Sequence, residues 1–210
     1  IAAVNDLVAG LKHELNDDIP VDVAVCPPFI FIPLVASALS DTAIAWGAQD
    51  VSEQVEGART GEVSAAMLLE YDCRYAIVGH SERRSCHGET DADVAAKFIA
   101  AQAVGLTPIL CVGESLEQRE TGRALEVVEA QVKAVLAAAG VDAFATAVVA
   151  YEPVWAIGTG KTASPAEAQA VHAHIRQVFS VVDSELAGKL SILYGGSVNA
   201  GNAAELFAKP

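Results

Sequence analysis

The feature that most constrains the fold of this chain is a regular alternation of short apolar runs with longer amphipathic segments. Such alternation predicts right-handed β–α–β crossovers, with a parallel sheet covered by helices. Successive strands start roughly 30 residues apart, which is the length of one such unit. The apolar runs predicted as strands are residues 21–26, 43–47, 74–79, 107–112, 145–150 and 190–194.

The segments between these runs carry helical patterns and start signals. The first segment has apolar residues at positions 4, 7, 8 and 11, which is helical spacing. A further helix is capped by Thr90, and a short one is predicted to start at Ser81. The remaining predicted helices are residues 30–39, 62–69, 124–139, 165–181 and 200–208.

Two topologies fit this pattern, an open doubly wound sheet and a closed (β/α)₈ barrel. A barrel gathers the residues that follow its strands into one mouth, whereas an open sheet distributes them along an edge. Five polar residues that each follow a different strand favour the barrel: Asp50, His80, Glu114, Glu152 and Ser197. Since a barrel has eight strands in about 250 residues, we expect a single incomplete barrel domain over residues 1–210. We expect it to lack a first strand before Ile1 and a last strand–helix unit after Pro210.

Composition limits the partners of the chain. The net charge of −14 argues against nucleic acid and against an acidic membrane surface. We find no transmembrane stretch in the 210 residues. The four cysteines form no C-x-x-C pair, so free thiols in a reducing cytoplasm are the prediction.

Glu152 directly follows the apolar run that ends at Ala150-Tyr151, and a glycine-rich segment comes after it. Ser164 and Glu167 then form a capping-box pattern at the start of a helix. One interpretation makes Glu152 a structural carboxylate that caps a helix or pairs with an arginine. The other makes it a general base beneath a mobile loop. Spacing alone leaves both interpretations open.

His80 directly follows the predicted strand at residues 74–79 and precedes the predicted short helix at Ser81. It is either a histidine satisfied by structural hydrogen bonds or a catalytic donor. The amides of the helix would disfavour the imidazolium form and keep the ring neutral. A neutral donor beside a carboxylate base suits enolisation, because the base removes a proton next to a carbonyl that the donor polarises.

Two glycine-containing segments are candidate phosphate sites. Residues 158–162 fail the P-loop pattern, since Trp155 stands where a glycine is needed. Gly158, Gly160 and Ala163 fit the dinucleotide pattern G-x-G-x-x-A, but that pattern requires a tight strand-to-helix turn. Glycine amides folded over a phosphate dianion are the alternative. Residues 195–197 are an ordinary turn or a second phosphate contact.

No metal site is predicted. Cys86 and His87 are adjacent, but no further metal ligands stand at a suitable spacing.

Taken together, these motifs resemble the triosephosphate isomerase family, over the whole chain and in order. The segments that carry the resemblance are Gly79-His80-Ser81-Glu82-Arg83-Arg84, residues 151–161, Tyr194-Gly195-Gly196-Ser197-Val198, Cys111-Val112-Gly113-Glu114, and residues 47–51 with 60–64. The resemblance implies a (β/α)₈ TIM barrel and an intramolecular aldose–ketose isomerase. It implies no metal and no organic cofactor.

The resemblance also implies the role of each site residue. Glu152 would move the proton between C1 and C2 of glyceraldehyde 3-phosphate and dihydroxyacetone phosphate, and His80 would polarise the carbonyl. Backbone amides of Gly158, Gly196 and Ser197 would hold the phosphate. Ser81 and Glu82 would contact the catalytic residues rather than the substrate. The closing lid would comprise Pro153, Val154, Trp155, Ala156, Ile157, Thr159, Gly160, Lys161 and Thr162, together with Gly158.

The implied partners are a small phosphorylated triose and a second copy of the chain. The loop from Gln49 to Gly61 would reach into the neighbouring subunit of a homodimer, with Val51 and Val55 exposed for that purpose. A cytoplasmic enzyme of glycolysis and gluconeogenesis is the expectation. The chain contains no match to the family's Asn-x-Lys segment or to its second phosphate-binding Gly-Gly. A truncated, inactive barrel that serves as a binding or structural module is therefore the alternative, and a nucleotide-binding α/β protein is a third.

Overall fold

Six strands alternate with helices in the described part of the chain. The computed structural model describes residues 1–15, 20–157 and 162–209. The strands are β1 (Ala24–Val25), β2 (Ala45–Ala48), β3 (Tyr75–Val78), β4 (Thr107–Val112), β5 (Val148–Tyr151) and β6 (Ser191–Tyr194). The helices are α1 (Ala2–Glu14), α2 (Ile32–Leu39), α3 (Ala65–Leu69), α4 (Ser81–His87), α5 (Asp91–Ala103), α6 (Leu116–Glu120), α7 (Ala124–Ala139), α8 (Pro165–Ser180), α9 (Ser184–Lys189) and α10 (Ala203–Phe207).

The predicted alternation of strands and helices is confirmed, with shifts at several boundaries. The first strand is only two residues long, and the predicted helix at 62–69 starts at Ala65, because the Ser64 side chain accepts a hydrogen bond from the Met67 N–H and caps it there. Two short helices, α6 and α9, were not predicted. Among the described residues, no helix is long and apolar enough to span a membrane.

The chain forms two compact units, of which the first comprises Ile1–Val78 and Ile99–Pro108. In this unit β1, β2 and β3 are parallel neighbours in that order, with the start of β4 next to β3. Gly47 on β2 is paired with Tyr75 so closely that a Cβ would overlap the Tyr75 backbone. Helices α1 and α2 share an apolar cluster that includes Val8, Val35 and Leu39.

The loop from Gln49 to Gly61 belongs to this first unit, and one prediction about it is wrong. Val51 is completely buried, whereas Val55 is 72% exposed as expected. The Ser52 N–H donates to the Val63 carbonyl at 2.9 Å, so the beginning of the loop is tied to the segment that follows it. Val55 therefore presents its side chain to solvent from the middle of the loop, whereas Val51 does not.

The second unit comprises Gly79–Phe98 and Ile109–Pro210. In this unit β4, β5 and β6 are parallel neighbours, with Val112 opposite Tyr151 and Tyr151 opposite Tyr194. The carboxyl ends of these strands therefore lie at one edge, and the residues that follow them emerge side by side. The core contains stacked aromatic rings, with Phe144 centred 5.0 Å from Phe98 and 4.7 Å from Phe179.

Candidate active site

Glu152 follows β5 directly and is held by its backbone and by two glycines. Its N–H donates to the Val112 carbonyl at 2.8 Å, which continues the β4–β5 ladder by one residue. A Cβ at Gly113 would overlap the carbonyl oxygen of Glu152, and one at Gly195 would lie 3.0 Å from its Cγ. A side chain at Gly113 would therefore displace the Glu152 backbone, whereas one at Gly195 would need its neighbours to shift by a few tenths of an ångström. The residue is 4% exposed.

The Glu152 carboxylate accepts hydrogen bonds from two predicted site residues. Oε1 lies 2.9 Å from Nε2 of His80, and Oε2 lies 2.9 Å from the backbone nitrogen of Ser81. Ser81 is the first residue of α4, so its N–H is one of the helix-terminal amides that lack a partner within the helix. The structure thus brings together Glu152, His80 and Ser81, as the sequence predicted.

The orientation of His80 is set by the turn into α4. Its Nδ1 accepts a hydrogen bond from the Glu82 N–H at 3.2 Å, which caps the helix. Since Nδ1 is an acceptor, the proton of the neutral ring belongs on Nε2, where it points at Glu152. Gly79, with φ of 71°, allows the turn, and its carbonyl is held by Arg84 Nε at 2.8 Å.

The electrostatics of His80 differ from the sequence expectation. The hydrogen bond with Glu152 raises the pKa of His80 above its ordinary value, against the opposing effect of burial. The Nδ1 contact with the α4 amide favours the neutral ring, as expected, but the neighbouring carboxylate outweighs it. The predicted low pKa therefore requires that Glu152 leave Nε2. The Glu82 side chain is 74% exposed, and its Oε2 lies 3.8 Å from His80 Nδ1.

The predicted lid is described on both sides of residues 158–161. Gly158, Thr159, Gly160 and Lys161 lie outside the described residues. Before them, Pro153 is buried and a short 3₁₀ turn spans Val154–Ala156, closed by the Ala156 N–H donating to the Pro153 carbonyl at 2.8 Å. After them, Thr162 is exposed and Ala163 is buried. The Glu152 segment therefore continues directly into an ordered turn.

The residue that follows the predicted lid contacts the last residue of β6. The Ala163 N–H donates to the Tyr194 hydroxyl at 3.3 Å, and a Cβ at Gly196 would overlap the same phenol ring. Ser197 is exposed, and its carbonyl accepts a hydrogen bond from Nδ2 of Asn202 at 3.0 Å. The predicted phosphate-binding residue Gly196 is thus placed against Tyr194, which bonds the residue that follows the lid, and Ser197 comes directly after Gly196 in the chain.

A buried carboxylate that the sequence did not assign a role lies beside these residues. Glu114 is completely buried, and its Oε1 accepts from three donors: the Tyr151 hydroxyl at 3.1 Å, Trp155 Nε1 at 2.8 Å and Arg119 Nη1 at 3.1 Å. Burial, followed by the Glu114 charge, raises the pKa of Tyr151. Gln131 fixes the preceding turn, since its amide bonds both the N–H and the carbonyl of Gly113.

The dinucleotide interpretation does not match the geometry. Strand β5 ends at Tyr151 and helix α8 begins at Pro165, whereas the dinucleotide fingerprint needs a tight turn from strand to helix. The predicted capping box at this helix is confirmed: the Ser164 hydroxyl accepts from the Glu167 N–H at 3.2 Å, and Glu167 Oε2 accepts from the Ser164 N–H at 2.8 Å.

Comparison with known proteins decides the family. A family model described as triosephosphate isomerase matches residues 1–210. The chain belongs to the triosephosphate isomerase family. A triosephosphate isomerase of Thiobacillus denitrificans is 61% identical over 204 residues, which cover 97% of this chain and 81% of the relative. Those of Psychromonas ingrahamii and Halorhodospira halophila are 54% and 59% identical and cover 99% and 98% of this chain, and 83% of each relative.

Membership of the triosephosphate isomerase family confirms the resemblance and the fold class. The parallel strands with intervening helices belong to the (β/α)₈ barrel class, and the open doubly wound alternative is set aside. Two residues of the site were missed by sequence reasoning, namely Arg119 and Tyr151. Glu114 was noted only as a polar residue after a strand, and its position directly after β4 was the available signal.

Proposed function

We propose that this chain catalyses the reaction for which its relatives are named, the interconversion of D-glyceraldehyde 3-phosphate and dihydroxyacetone phosphate. The observation that carries the proposal is the buried Glu152 carboxylate, 2.9 Å from Nε2 of His80, at the entry to the predicted lid. A carboxylate base beside an imidazole donor is the pair that an enolisation needs. Neither removal of the proton by the carboxylate nor polarisation of the carbonyl by the imidazole requires a metal or an organic cofactor.

Glu152 is the proposed base. Its carboxylate leaves His80 and Ser81 and takes the proton from the carbon next to the substrate carbonyl. The C–H electron pair forms the carbon–carbon double bond of the enediolate, and the carbonyl oxygen gains the negative charge. Glu152 then returns the proton to the neighbouring carbon, while His80 gives its Nε2 proton to the charged oxygen and takes up the hydroxyl proton of the first carbon. The isomer forms, and Glu152 and His80 are both regenerated. Because Glu152 is 4% exposed, little water competes for it.

His80 is the proposed donor to the substrate oxygen. Its Nε2–H, now directed at Glu152, turns to the carbonyl when the base moves away. The Glu82 N–H bond to Nδ1 holds the donor proton at Nε2 throughout. Removal of the carboxylate from Nε2 also removes the main cause of the raised pKa, so the ring stays a neutral donor.

The phosphate is assigned to the loop after β6 and to the lid. Gly196 and Ser197 would donate backbone amides, with Gly158 as a third donor from the lid. Such local donors must overcome the global charge of −14, which repels a dianionic substrate. Closure of residues 153–162 over the site would exclude water from the enediolate.

A coupled assay with triose phosphate tests the proposal, on a sample whose intact mass matches the 210-residue chain. We expect turnover in both directions that is lost in His80→Gln, while Lys189→Gln, on the exposed surface of α9, keeps wild-type activity. Binding of triose phosphate without turnover would favour the binding-module alternative. Tight NAD binding without binding of triose phosphate would favour the nucleotide-binding alternative.

The homodimer and the cytoplasmic location are also proposed from the family. The exposed Val55 at the middle of the loop from Gln49 to Gly61 is the apolar side chain available for a second copy. We expect sedimentation of the wild-type chain as a dimer and a shift towards monomer in Val55→Asp. A wild-type chain that sediments as a monomer would contradict this proposal.

A further inference from the structure

Arg119 contacts the described residues on both sides of segment 158–161. Its Nη1 donates to Glu114 Oε1 at 3.1 Å, and its Nη2 donates to Glu167 Oε1 at 2.5 Å. The guanidinium carbon also lies 4.7 Å from the centre of the Trp155 ring, within the range of a cation–π contact. One side chain therefore reaches the turn that follows Glu152 and the cap of helix α8.

We propose that Arg119 is a positioning residue, which fixes the turn after the proposed base relative to the loop that carries the proposed phosphate donors. The inference rests on the proposed function. Arg119 would act on the site through two series of contacts. One series leads to Glu152, and the other leads to the loop after β6.

The first direction leads to the base. The Trp155 ring lies against the Arg119 guanidinium, and its Nε1–H donates to Glu114. It belongs to the 3₁₀ turn that Pro153 closes, and Pro153 is bonded covalently to Glu152. Loss of Arg119 would leave Trp155 without the stacked guanidinium and would therefore loosen the turn that follows Glu152.

The second direction leads to the phosphate loop. Arg119 bonds one oxygen of Glu167, whose other oxygen accepts from both the N–H and the hydroxyl of Ser164 at 2.8 Å. Ala163, the residue before Ser164, donates its N–H to Tyr194, whose ring lies against Gly196. The pairing with Arg119 therefore restrains Ser164 and the adjoining Ala163, which bonds Tyr194 beside Gly196.

The chemistry of arginine is required for this arrangement. A planar guanidinium can donate to two carboxylates and stack on an indole at the same time, whereas a lysine ammonium cannot do all three. Burial opposes the charge of Arg119, but hydrogen bonds with Glu167 and Glu114 outweigh it and raise its pKa. The group therefore stays charged throughout the pH range of the enzyme.

Two variants separate the two directions. Arg119→Met removes all three contacts, and since a misplacement of about 1 Å costs on the order of 100-fold, we expect a roughly 10- to 100-fold fall in kcat with a rise in KM. Glu167→Gln keeps the cap on Ser164 but removes the ion pair. It should raise KM several-fold and leave kcat nearly unchanged, because only the phosphate side is loosened. Arg119→Lys should recover little of the loss.

A spectroscopic readout tests the contact without using activity. In a Trp46→Phe background, Trp155 is the remaining tryptophan, so its emission reports the stacked guanidinium. We expect the emission of Trp155 to change in Arg119→Met and in Arg119→Lys, and to stay unchanged in Arg123→Met. Arg123 is a matched control, because it is an exposed arginine that forms a local ion pair with Glu126 at the start of α7.

The outcomes separate this inference from the proposed function. Unchanged Trp155 emission, or unchanged kinetics in both Arg119→Met and Glu167→Gln of an active enzyme, would overturn the role of Arg119. An inactive wild-type chain whose Trp155 emission still responds to Arg119 would refute the proposed function and retain the positioning role. If Arg119→Met does not fold, Glu167→Gln and Arg119→Lys carry the test.

Discussion

Replacement of Glu152 with Asp changes the proposed base by a single methylene group. The carboxylate would retract by about 1.5 Å. Both oxygens now lie 2.9 Å from their donors, on His80 and Ser81. After retraction those distances would approach roughly 4 Å, which exceeds the range of a hydrogen bond. The carboxylate would also lie farther from the substrate carbon by about 1.5 Å, which impairs proton transfer to a general base.

Because a misplacement of about 1 Å costs on the order of 100-fold, we expect kcat to fall by roughly 10²- to 10³-fold, equivalent to about 3–4 kcal/mol of activation free energy. KM should change by less than about threefold, since the carboxylate does not hold the phosphate. The coupled assay measures both constants. Glu185→Asp is the matched control, because Glu185 is exposed on α9 and pairs only locally with Lys189. A folded Glu152→Asp enzyme with kcat within tenfold of wild type would remove Glu152 from the role of base.

Three further predictions concern titration and packing. In the unliganded protein, NMR titration should give His80 a pKa above its ordinary value, and the pKa should fall in Glu152→Gln because its main cause is gone. A raised folded-state pKa stabilises the protein below the ordinary pKa of about 6.5 and loses that effect as pH rises through the folded value. The difference in unfolding free energy between wild type and His80→Gln should therefore shrink as pH rises. Gly113→Ala should lower the free energy of unfolding in urea by about 1–3 kcal/mol or more, since its Cβ would overlap the Glu152 carbonyl. Gly188→Ala, with open space around it, should raise the free energy of unfolding by up to about 1 kcal/mol. Burial opposes ionisation of Glu89, but hydrogen bonds with Lys97 and Arg83 outweigh it and lower its pKa. Glu89→Gln should therefore be less stable than wild type at neutral pH, with a difference that shrinks as the pH falls through the lowered pKa.

Each of these predictions has a clear contradicting result. A His80 pKa that is the same in wild type and in Glu152→Gln would show that the carboxylate is not its cause. Equal stability of the Gly113 and Gly188 variants would mean that the β4–β5 edge can relax around a methyl group. A constant stability difference for Glu89→Gln across the acid range would mean that its ionisation contributes nothing to folding.

The positions of Glu152 and His80 were predictable because they depend on local pattern and strand direction. Parallel strands bring their carboxyl ends to one edge, so a polar residue directly after an apolar run has a defined location. The start of α8 was equally predictable, since Ser164, Pro165 and Glu167 are all start signals of a helix. Strand β5 was predicted three residues too early at its start, because Ala145 and Thr146, although apolar or β-branched, lie in a 3₁₀ turn.

The buried Glu114 network was beyond sequence reasoning. Its donors come from positions 5, 37 and 41 residues away in the chain, and their convergence depends on packing. Val51 illustrates the same limit, since the resemblance implied exposure for contact with a second copy while the fold buries it completely. The predicted roles of the site residues, the homodimer and the single barrel domain stay predictions.

The two glycines beside Glu152 have a consequence for engineering new activities on this scaffold. A side chain at Gly113 would overlap the backbone of the proposed base, and one at Gly195 would crowd its Cγ. Position 152 can therefore be varied in a mutant library, while positions 113 and 195 must be held constant. Libraries that randomise all three together would consist mostly of chains whose β5 end is displaced, and screening them would test folding rather than catalysis. A design strategy that keeps both glycines and varies position 152 with the residues after β6 would sample chemistry on an intact strand edge.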